Sequence, residues 1–426
     1  MSWKSLKLGE LCFIEKGVTA IQKAIPGKYP LVVTGEERKS HNEYQFDTDA
    51  VIIPLVSSTG HGHKSLKRIH FQEGKFALGS ILCAVIPKDN DVLNAKYLYH
   101  YLDLNKEKEL VSRMKGMANV SLPMKEIADI DIPVPSLEEQ LLFIERYEKT
   151  ETHSASITKV LSGQIQILKE LRQAFLKEAM QGKLVKQNPS DESASELLKK
   201  IKSEKERLIN EKKIKQGKIQ AAELQSEILF DIPENWAWCQ LDDICFNITD
   251  GTHQTPTYTS AGRVFLSAQN VKPFKFMPDN HKYVSEESYR DYIKNRKAEK
   301  GDILVARVGA GIGEAAVINM DVDFCFYVSL GLIQPFKEFI NSDYLCCVIN
   351  SPYGVKYSKG NISSKGGSAG NFNLGRIRSF LIPLPPLNEQ YRIVQKLEQL
   401  TNHCNKLEES INLSRQYNEQ LLQQVL

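Results

Sequence analysis

Apolar and polar positions follow two regimes along the chain. Short apolar runs bounded by Gly and Pro, such as Ala50–Val56, Ile81–Ile86, Ile303–Val308 and Ala315–Ile318, predict buried strands. Between them Ala95–Leu104 and Asp343–Ile349 read as helices. Two longer stretches carry another period. In the first, Ile157, Leu161, Leu168, Leu171 and Phe175 keep alternating spacings, with Gln164 in a polar slot. In the second, Ile393, Leu397, Leu400, Cys404, Leu407 and Ile411 keep the same rhythm; Ser414 and Asn418 interrupt it, and Leu421 and Val425 resume. These are coiled-coil seams. A helix from Gln390 to Leu426 spans about 55 Å at about 1.5 Å per residue. It cannot cover its own stripe, so the two helices predict an antiparallel pair. The polar interruption either sets the register of that pair or marks where the helix leaves the seam.

The elements come twice. Ile132-Pro133-Val134-Pro135-Ser136-Leu137-Glu138-Glu139-Gln140 returns 250 residues later as Ile382-Pro383-Leu384-Pro385-Pro386-Leu387-Asn388-Glu389-Gln390. Upstream, Trp3, Leu8, Leu11, Cys12 and Phe13 align with Trp236, Leu241, Ile244, Cys245 and Phe246. Gly79-Ser80-Ile81-Leu82 aligns with Gly301-Asp302-Ile303-Leu304. The chain therefore divides as globular unit 1–135, helix 136–185, a charged helix and linker 186–231, globular unit 232–385 and helix 386–426. Ser136 with Glu139 forms a capping-box pattern, and Asn388 is placed to cap the second long helix. Ser195–Lys218, rich in Lys and Glu, reads as an amphipathic helix with a solvated face.

Composition narrows the function classes. The chain has 426 residues, 42% of them hydrophobic, which suits a folded multi-domain protein. Its longest apolar runs fall far short of the roughly 18 to 20 residues of a spanning helix. The first residues lack the apolar core of a signal peptide. Eight cysteines without a Cys-x-x-Cys pair fit reduced thiols in the cytoplasm. The net charge of +3 neither advertises nor excludes nucleic-acid binding, for which a basic face matters more than the total.

Catalytic signatures are sparse. Gly-Lys recurs, but Ser or Thr never follows, so no phosphate loop forms. Gly309-Ala310-Gly311-Ile312-Gly313 follows a strand, yet the β-branched run after it predicts a hairpin rather than a nucleotide turn. His61-Gly62-His63 lacks a further ligand at metal spacing and reads as a polar loop.

The duplicated Pro-x-Pro-x-Leu-x-Glu-Gln element, each copy opening a long helix after a globular unit, resembles the specificity subunits of type I restriction-modification enzymes. Asp250-Gly251-Thr252-His253-Gln254-Thr255-Pro256, Ala306-Arg307-Val308-Gly309 and Asn371-Phe372-Asn373-Leu374 are also similar to stretches of that family. The resemblance implies an α+β fold in which two mixed α/β target-recognition domains are separated by two long helices packed as an antiparallel coiled coil. Each domain would read one half of a bipartite, asymmetric site in double-stranded DNA. The coiled coil would set the spacing and dock two methyltransferase subunits through Leu137, Glu139, Gln140, Leu387, Glu389 and Gln390. S-adenosylmethionine, and ATP with Mg, would belong to the methyltransferase and restriction-translocase partners. The chain itself would hold no cofactor, metal or catalytic centre and would stay off membranes, in the cytoplasm. The competing readings are a coiled-coil adaptor that binds protein rather than DNA, and a stand-alone enzyme with S-adenosylmethionine at Gly309–Gly313.

Groove reading calls for polar side chains on loops or helix ends. In the first unit these are Ser57, Ser58, Thr59, His61, His63, Lys64, Lys67 and Arg68, with Arg113, Lys115 and Asn119 as a second patch. In the second unit they are Thr252, His253, Gln254, Thr255, Tyr258, Arg263, Gln269, Asn270 and Arg307, with Ser363, Ser364 and Lys365 in a Gly-rich loop. The first unit offers only Gly17-Val18-Thr19 where the second has Asp250–Pro256, and no counterpart of that loop is legible.

Overall fold

The computed structural model describes residues 3–59, 62–214, 230–294, 296–363 and 370–421. The chain forms two compact units, one of Met1–Gly163 with Ile411–Leu426, the other of Gln164–Ser410. Both are mixed α and β, and no helix among the described residues is long and apolar enough to cross a membrane.

The strands of the first unit are β1 (Lys4–Lys7), β2 (Cys12–Lys16), β3 (Tyr29–Val32), β4 (Lys39–His41), β5 (Phe46–Asp47), β6 (Ala50–Pro54), β7 (His70–Gln72), β8 (Lys75–Leu78), β9 (Leu82–Pro87) and β10 (Asp131–Val134). Those of the second are β11 (Ala237–Gln240), β12 (Cys245–Asp250), β13 (Arg263–Leu266), β14 (Val271–Lys272), β15 (Lys275–Phe276), β16 (Lys282–Val284), β17 (Ile303–Ala306), β18 (Ala315–Val317), β19 (Phe324–Phe326), β20 (Leu330–Pro335), β21 (Ile362–Ser363), β22 (Asn371–Phe372) and β23 (Leu381–Leu384).

The wiring repeats. A four-stranded sheet has the order β2-β9-β6-β7 in one unit and β12-β20-β17-β18 in the other. A second sheet pairs β3 with β4 and, in parallel, with β8; its counterpart pairs β13 with β16 and, in parallel, with β19. The entry strands β1 and β11 pair with the exit strands β10 and β23. The central strands are covered on both faces, which is why they read as unbroken apolar runs. Val51 and Ile53 of β6 enter one core with Leu8 and Tyr97, while Ala50 and Ile52 enter another with Val32 and Phe76. On β17, Ile303 and Val305 face one core and Leu304 the other.

This topology corrects one echo in the sequence. Gly79–Leu82 leads into β9, but Gly301–Leu304 leads into β17, whose counterpart is β6. The two stretches match in residues and differ in place. The turn Gly309–Gly313 joins antiparallel β17 and β18, the hairpin that the sequence predicts.

The repeated motif is a latch between each unit and its helix. Gln140 is buried; its Nε2 donates to the carbonyls of Val92 and Pro135, both at 2.9 Å, and its Oε1 accepts the Asn94 amide at 2.8 Å. Gln390 does the same with Pro385 (3.1 Å) and the Asn341 amide (2.8 Å). Asn94 and Asn341 are themselves the caps of helices Ala95–Leu104 and Ser342–Asn350. The hydroxyls of Tyr97 and Tyr344 on those helices donate to the carbonyls of Pro133 and Pro383.

Ser136 and Glu139 form the expected capping box at the head of helix Leu137–Met180. Asn388 does not cap the second long helix. That helix runs Leu387–Leu421, so Asn388 lies in its first turn, and the Pro386 carbonyl receives the amides of Glu389 and Gln390. The charged stretch forms helix Ala194–Asn210, capped by Ser193.

Within the second unit Arg172 donates to Asn405 and Glu408, both at 2.8 Å, while Leu176 and Met180 share a core with Ile393 and Leu397. Contacts that advance along one helix retreat along the other, so the pair is antiparallel. In the first unit Asn418 is buried and donates to the Ser154 carbonyl (2.9 Å) and Thr158 Oγ1 (3.0 Å). Asn418 thus stays in the seam. The phase of the first seam differs from expectation: Leu161, Ile165, Leu168, Arg172 and Phe175 turn inward, and Ile157, Gln164 and Leu171 are exposed. On the partner helix Leu407 is exposed and Glu408 takes the inner position; Val425 lies outside the described residues.

Candidate nucleic-acid interface

In the second unit β12 and β17 are each antiparallel to β20, so both end at the edge where β18 and β20 begin. The loops that follow β12 and β17 leave from that edge. Arg307, the first residue after β17, is only 4% exposed. Its Nε donates to the Phe372 carbonyl and its Nη1 to the Val328 carbonyl, both at 3.0 Å, and Nη1 also pairs with the Asp250 carboxylate. The Phe372 amide returns a bond to the Arg307 carbonyl at 2.9 Å. Three stretches far apart in sequence, around Asp250, Arg307 and Asn371, therefore converge on one guanidinium.

The loop after β12 is stitched down at its base. The Thr252 amide donates to the Phe326 carbonyl at 2.9 Å and the Val328 amide to the Thr252 carbonyl at 3.0 Å. A Cβ at Gly251 would lie 2.2 Å from the Phe326 carbonyl oxygen, so only glycine permits this approach. Thr252 Oγ1 accepts the Gln254 amide, and His253 Nε2 lies 3.2 Å from Asp250. Beyond this base His253, Gln254, Thr255 and Tyr258 are exposed, and the Lys282 ammonium sits 4.1 Å above the Tyr258 ring.

The first unit contains the counterpart that its sequence hides. The Thr19 amide donates to the Leu78 carbonyl and the Ser80 amide to the Thr19 carbonyl, at 3.1 and 2.9 Å. A Cβ at Gly17 would lie 2.3 Å from the Gly79 carbonyl oxygen. Gly17-Val18-Thr19 thus occupies the place of Gly251-Thr252, leaving Val18 exposed. Gly79 stands where Tyr327 stands in the second unit, which is why pairing it with Gly301 misleads.

The loop after β6 corresponds to that after β17. The structure brings its two candidate patches together: the Ser57 amide donates to the Val120 carbonyl at 3.0 Å, and Lys115 bridges to Ser121. Ser57 Oγ donates to the His63 carbonyl (2.6 Å) and Ser58 Oγ accepts the Lys67 amide (2.8 Å), so both hydroxyls shape the loop. Thr59, His63, Lys64, Lys67, Lys115 and Asn119 are exposed. Arg68 is held by Glu36 at 2.9 Å, and Arg113 lies 3.7 Å from the buried Glu109. His61, Ser364 and Lys365 lie outside the described residues, as does the side chain of Ser363.

Several expected contacts are corrected. Asn270 is 1% exposed, and its side chain bonds Met277, Asn280 and the Ser267 amide. Asn270, Thr252 and Arg307 are buried, hold the neighbouring loops through backbone contacts and do not face out. Arg263 is half-exposed and engaged by Glu286 at 2.5 Å, whereas Gln269 stands open. Among the expected docking residues, Gln140, Gln390 and Glu389 are buried. Burial pushes the Glu389 carboxyl above its ordinary range, opposed by Gln187, whose Nε2 donates to it at 2.6 Å. Glu139 is exposed and is held low by the Ser136 amide and hydroxyl, and Leu137 and Leu387 are half-buried.

A family model described as the type I restriction modification DNA specificity domain matches residues 1–166 and 233–414. The chain belongs to this family. The two matches are the two copies of the repeat. Among curated relatives, the EcoAI specificity subunit of Escherichia coli is 28% identical over 253 residues, 58% of this chain and 42% of the relative. The EcoEI subunit of Escherichia coli is 30% identical, over 61% of this chain and 43% of the relative. These two alignments span less than half of the relatives' own length. The EcoDI subunit of Escherichia coli is 24% identical over 97% of this chain and 84% of its own. The HsdS subunit from Thermoanaerobacter tengcongensis shares the fold, with a TM-score of 0.56 at 17% identity, covering 100% of this chain and 95% of that one. So does a chain from a study of complex assembly and conformational transition in the type I R-M system, with a TM-score of 0.68 at 16% identity over 100% of this chain and 96% of that one.

Proposed function

We propose that the chain is the DNA-specificity subunit of a type I restriction-modification complex. The observation that carries this is the twice-built platform: two sheets of identical wiring, each presenting glycine-anchored loops at one edge, with different side chains on those loops. Identical scaffolds with different loops suit two readers of two different half-sites. The target would then be bipartite and asymmetric. The antiparallel helices would act as the spacer, holding half-sites on the order of one DNA turn, about 34 Å, apart.

The chain is read as non-catalytic. It would dock two methyltransferase subunits, which bind S-adenosylmethionine and methylate adenine at N6, and restriction subunits that use ATP with Mg, all in the cytoplasm. With Gln140, Glu389 and Gln390 occupied internally, docking falls to exposed side chains of the same helix starts, namely Glu139, Leu141, Leu142 and Tyr391. DNA contact would come from Thr59, His63, Lys64, Lys67, Lys115 and Asn119 in one unit and from His253, Gln254, Thr255, Tyr258 and Gln269 in the other.

The test is base-resolution mapping of N6-methyladenine in a methylation-free host carrying this chain with its methyltransferase. A split, asymmetric motif is the expected result, and exchanging residues 232–381 for those of a relative should alter one half of it only. An assembled complex that modifies nothing would return weight to the adaptor reading. A continuous palindrome would exclude two different readers.

A further inference from the structure

Two non-glycine residues among the described ones have positive φ: Lys212 at 58° and Phe274 at 62°. Lys212 follows the end of helix Ala194–Asn210, where left-handed residues ordinarily close a helix. Phe274 has no such explanation. It lies in the two-residue turn Pro273-Phe274 that joins β14 to β15. Proline fixes the first turn position, and the second is the left-handed place that type II turns give to Gly or Asn. A bulky aromatic there strains the backbone. The strain is not offset by packing, because Phe274 is 49% exposed. Its ring meets no other aromatic ring among the described residues.

The hairpin is nevertheless rigid. Val271 and Phe276 at its base are buried in the core with Leu304 and Phe324, and the Phe274 amide donates to the Ala315 carbonyl at 2.9 Å. Lys272 lies 3.3 Å from Glu314. Ala315 and Glu314 sit at the end of the Gly309–Gly313 turn, so the tip stands at the sheet edge from which the β12 and β17 loops depart. The exposed tip reads Lys272-Pro273-Phe274-Lys275, and Lys275 has no ion pair among the described residues. The first unit has no equivalent: six residues join β3 to β4, where fifteen join β13 to β16.

We propose that Phe274 is an intercalating wedge that enters a base step of the duplex beside the half-site read by the second unit, with Lys272 and Lys275 on the flanking phosphates. The inference rests on the specificity-subunit reading. An apolar ring on a stiff, strained, basic hairpin is the chemistry that unstacks a base step and kinks DNA. Such a wedge gives sequence preference through the ease of deforming the step, without a hydrogen bond to any base. It acts in one half-site only.

The experiment uses the full chain assembled with its methyltransferase and a set of duplexes carrying 2-aminopurine at successive positions of the methylated site and its flanks. With the wild-type complex, fluorescence should rise at one step next to the second unit's half-site. Phe274→Gly should abolish that rise and weaken binding about tenfold, the order of one lost aromatic–base stack. The same variant should melt no earlier than wild type, because glycine relieves the left-handed residue. Phe274→Leu should keep most of the signal. If Phe274→Gly binds DNA as tightly with the same fluorescence profile, the wedge is refuted while the specificity reading stands. If it loses methyltransferase from the complex on gel filtration, Phe274 is a protein contact and the wedge is refuted likewise. If the wild-type complex binds no site at all, the specificity reading and the wedge fall together.

Discussion

Arg307 and Asp250 form a buried pair on which three loops depend. Breaking such a pair leaves the mostly buried Asp250 carboxylate without its guanidinium, at about 3–5 kcal/mol. Arg307→Leu should therefore lower the unfolding free energy of the second unit by that order, read from urea denaturation followed by fluorescence of Trp236 and Trp238; a change under about 1 kcal/mol would mean that the loops do not depend on the pair. Glu389 makes the opposite case. Burial raises its pKa in the folded chain above the unfolded value, so its folded state favours the proton. Stability associated with this group is present at acid pH and is lost as pH rises past the ordinary carboxylate range. Glu389→Gln should flatten that decline and raise the melting temperature near pH 8, which thermal scans across pH will decide. If the variant melts lower at every pH, Gln187 and the charge together outweigh burial. Neither residue's role was legible in sequence. Arg307 and Asp250 both lie in stretches that resemble the family, but a linear sequence does not say that a guanidinium faces inward. The same is true of Asn270, whose amide looks like a base reader until its two backbone carbonyl partners are seen.

At the scale of elements, strands and helices followed from local pattern, because buried strands and capped helices leave local marks. Ala95–Leu104 is a helix with the bounds its periodicity predicts. What failed was phase. Two columns of apolar residues on the central helix share Leu161, Leu168 and Phe175, and only the partner helix decides which column completes the seam. Arg172 won an inner position because Asn405 and Glu408 meet it there. The Gly17 loop was illegible for a related reason: its identity is carried by backbone hydrogen bonds, which many sequences can make. Two element-scale outcomes are expected. Gln140→Ala removes three hydrogen bonds and leaves buried groups unpaired, each worth about 1–3 kcal/mol, so the first unit should melt several degrees lower while the second is unchanged. Asn418→Leu extends the apolar seam and should raise the melting temperature, at the expense of register, as seam asparagines do elsewhere. Equal losses for Asn418→Leu and Asn418→Asp would instead mean that its hydrogen bonds outweigh the apolar gain.

At the scale of the molecule, a net charge of +3 gives weak general attraction to a polyanion. The assembled complex should therefore show a much steeper salt dependence than the chain alone; six or more phosphate contacts cost on the order of a thousandfold in affinity between about 50 and 200 mM salt. Fluorescence anisotropy at several salt concentrations measures both slopes, and equal slopes would place the DNA affinity on this chain. The duplication was the part of the molecule most open to reading, since the same motifs return in the same order over hundreds of residues. Which strands correspond was not, since loops of unequal length shift every offset.

The bond from Asn418 to Ser154 spans 264 residues. During synthesis at roughly 5 to 20 residues per second, Ser154 emerges on the order of 13 to 50 seconds before its partner. Through that interval the first half of the central helix stands with a bare seam, while the entire second unit is made and folds. The half of the protein that leaves the ribosome first is completed last, and a nascent chain stalled after the second unit would hold a central helix whose first half is unpaired and exposed to chaperones and proteases.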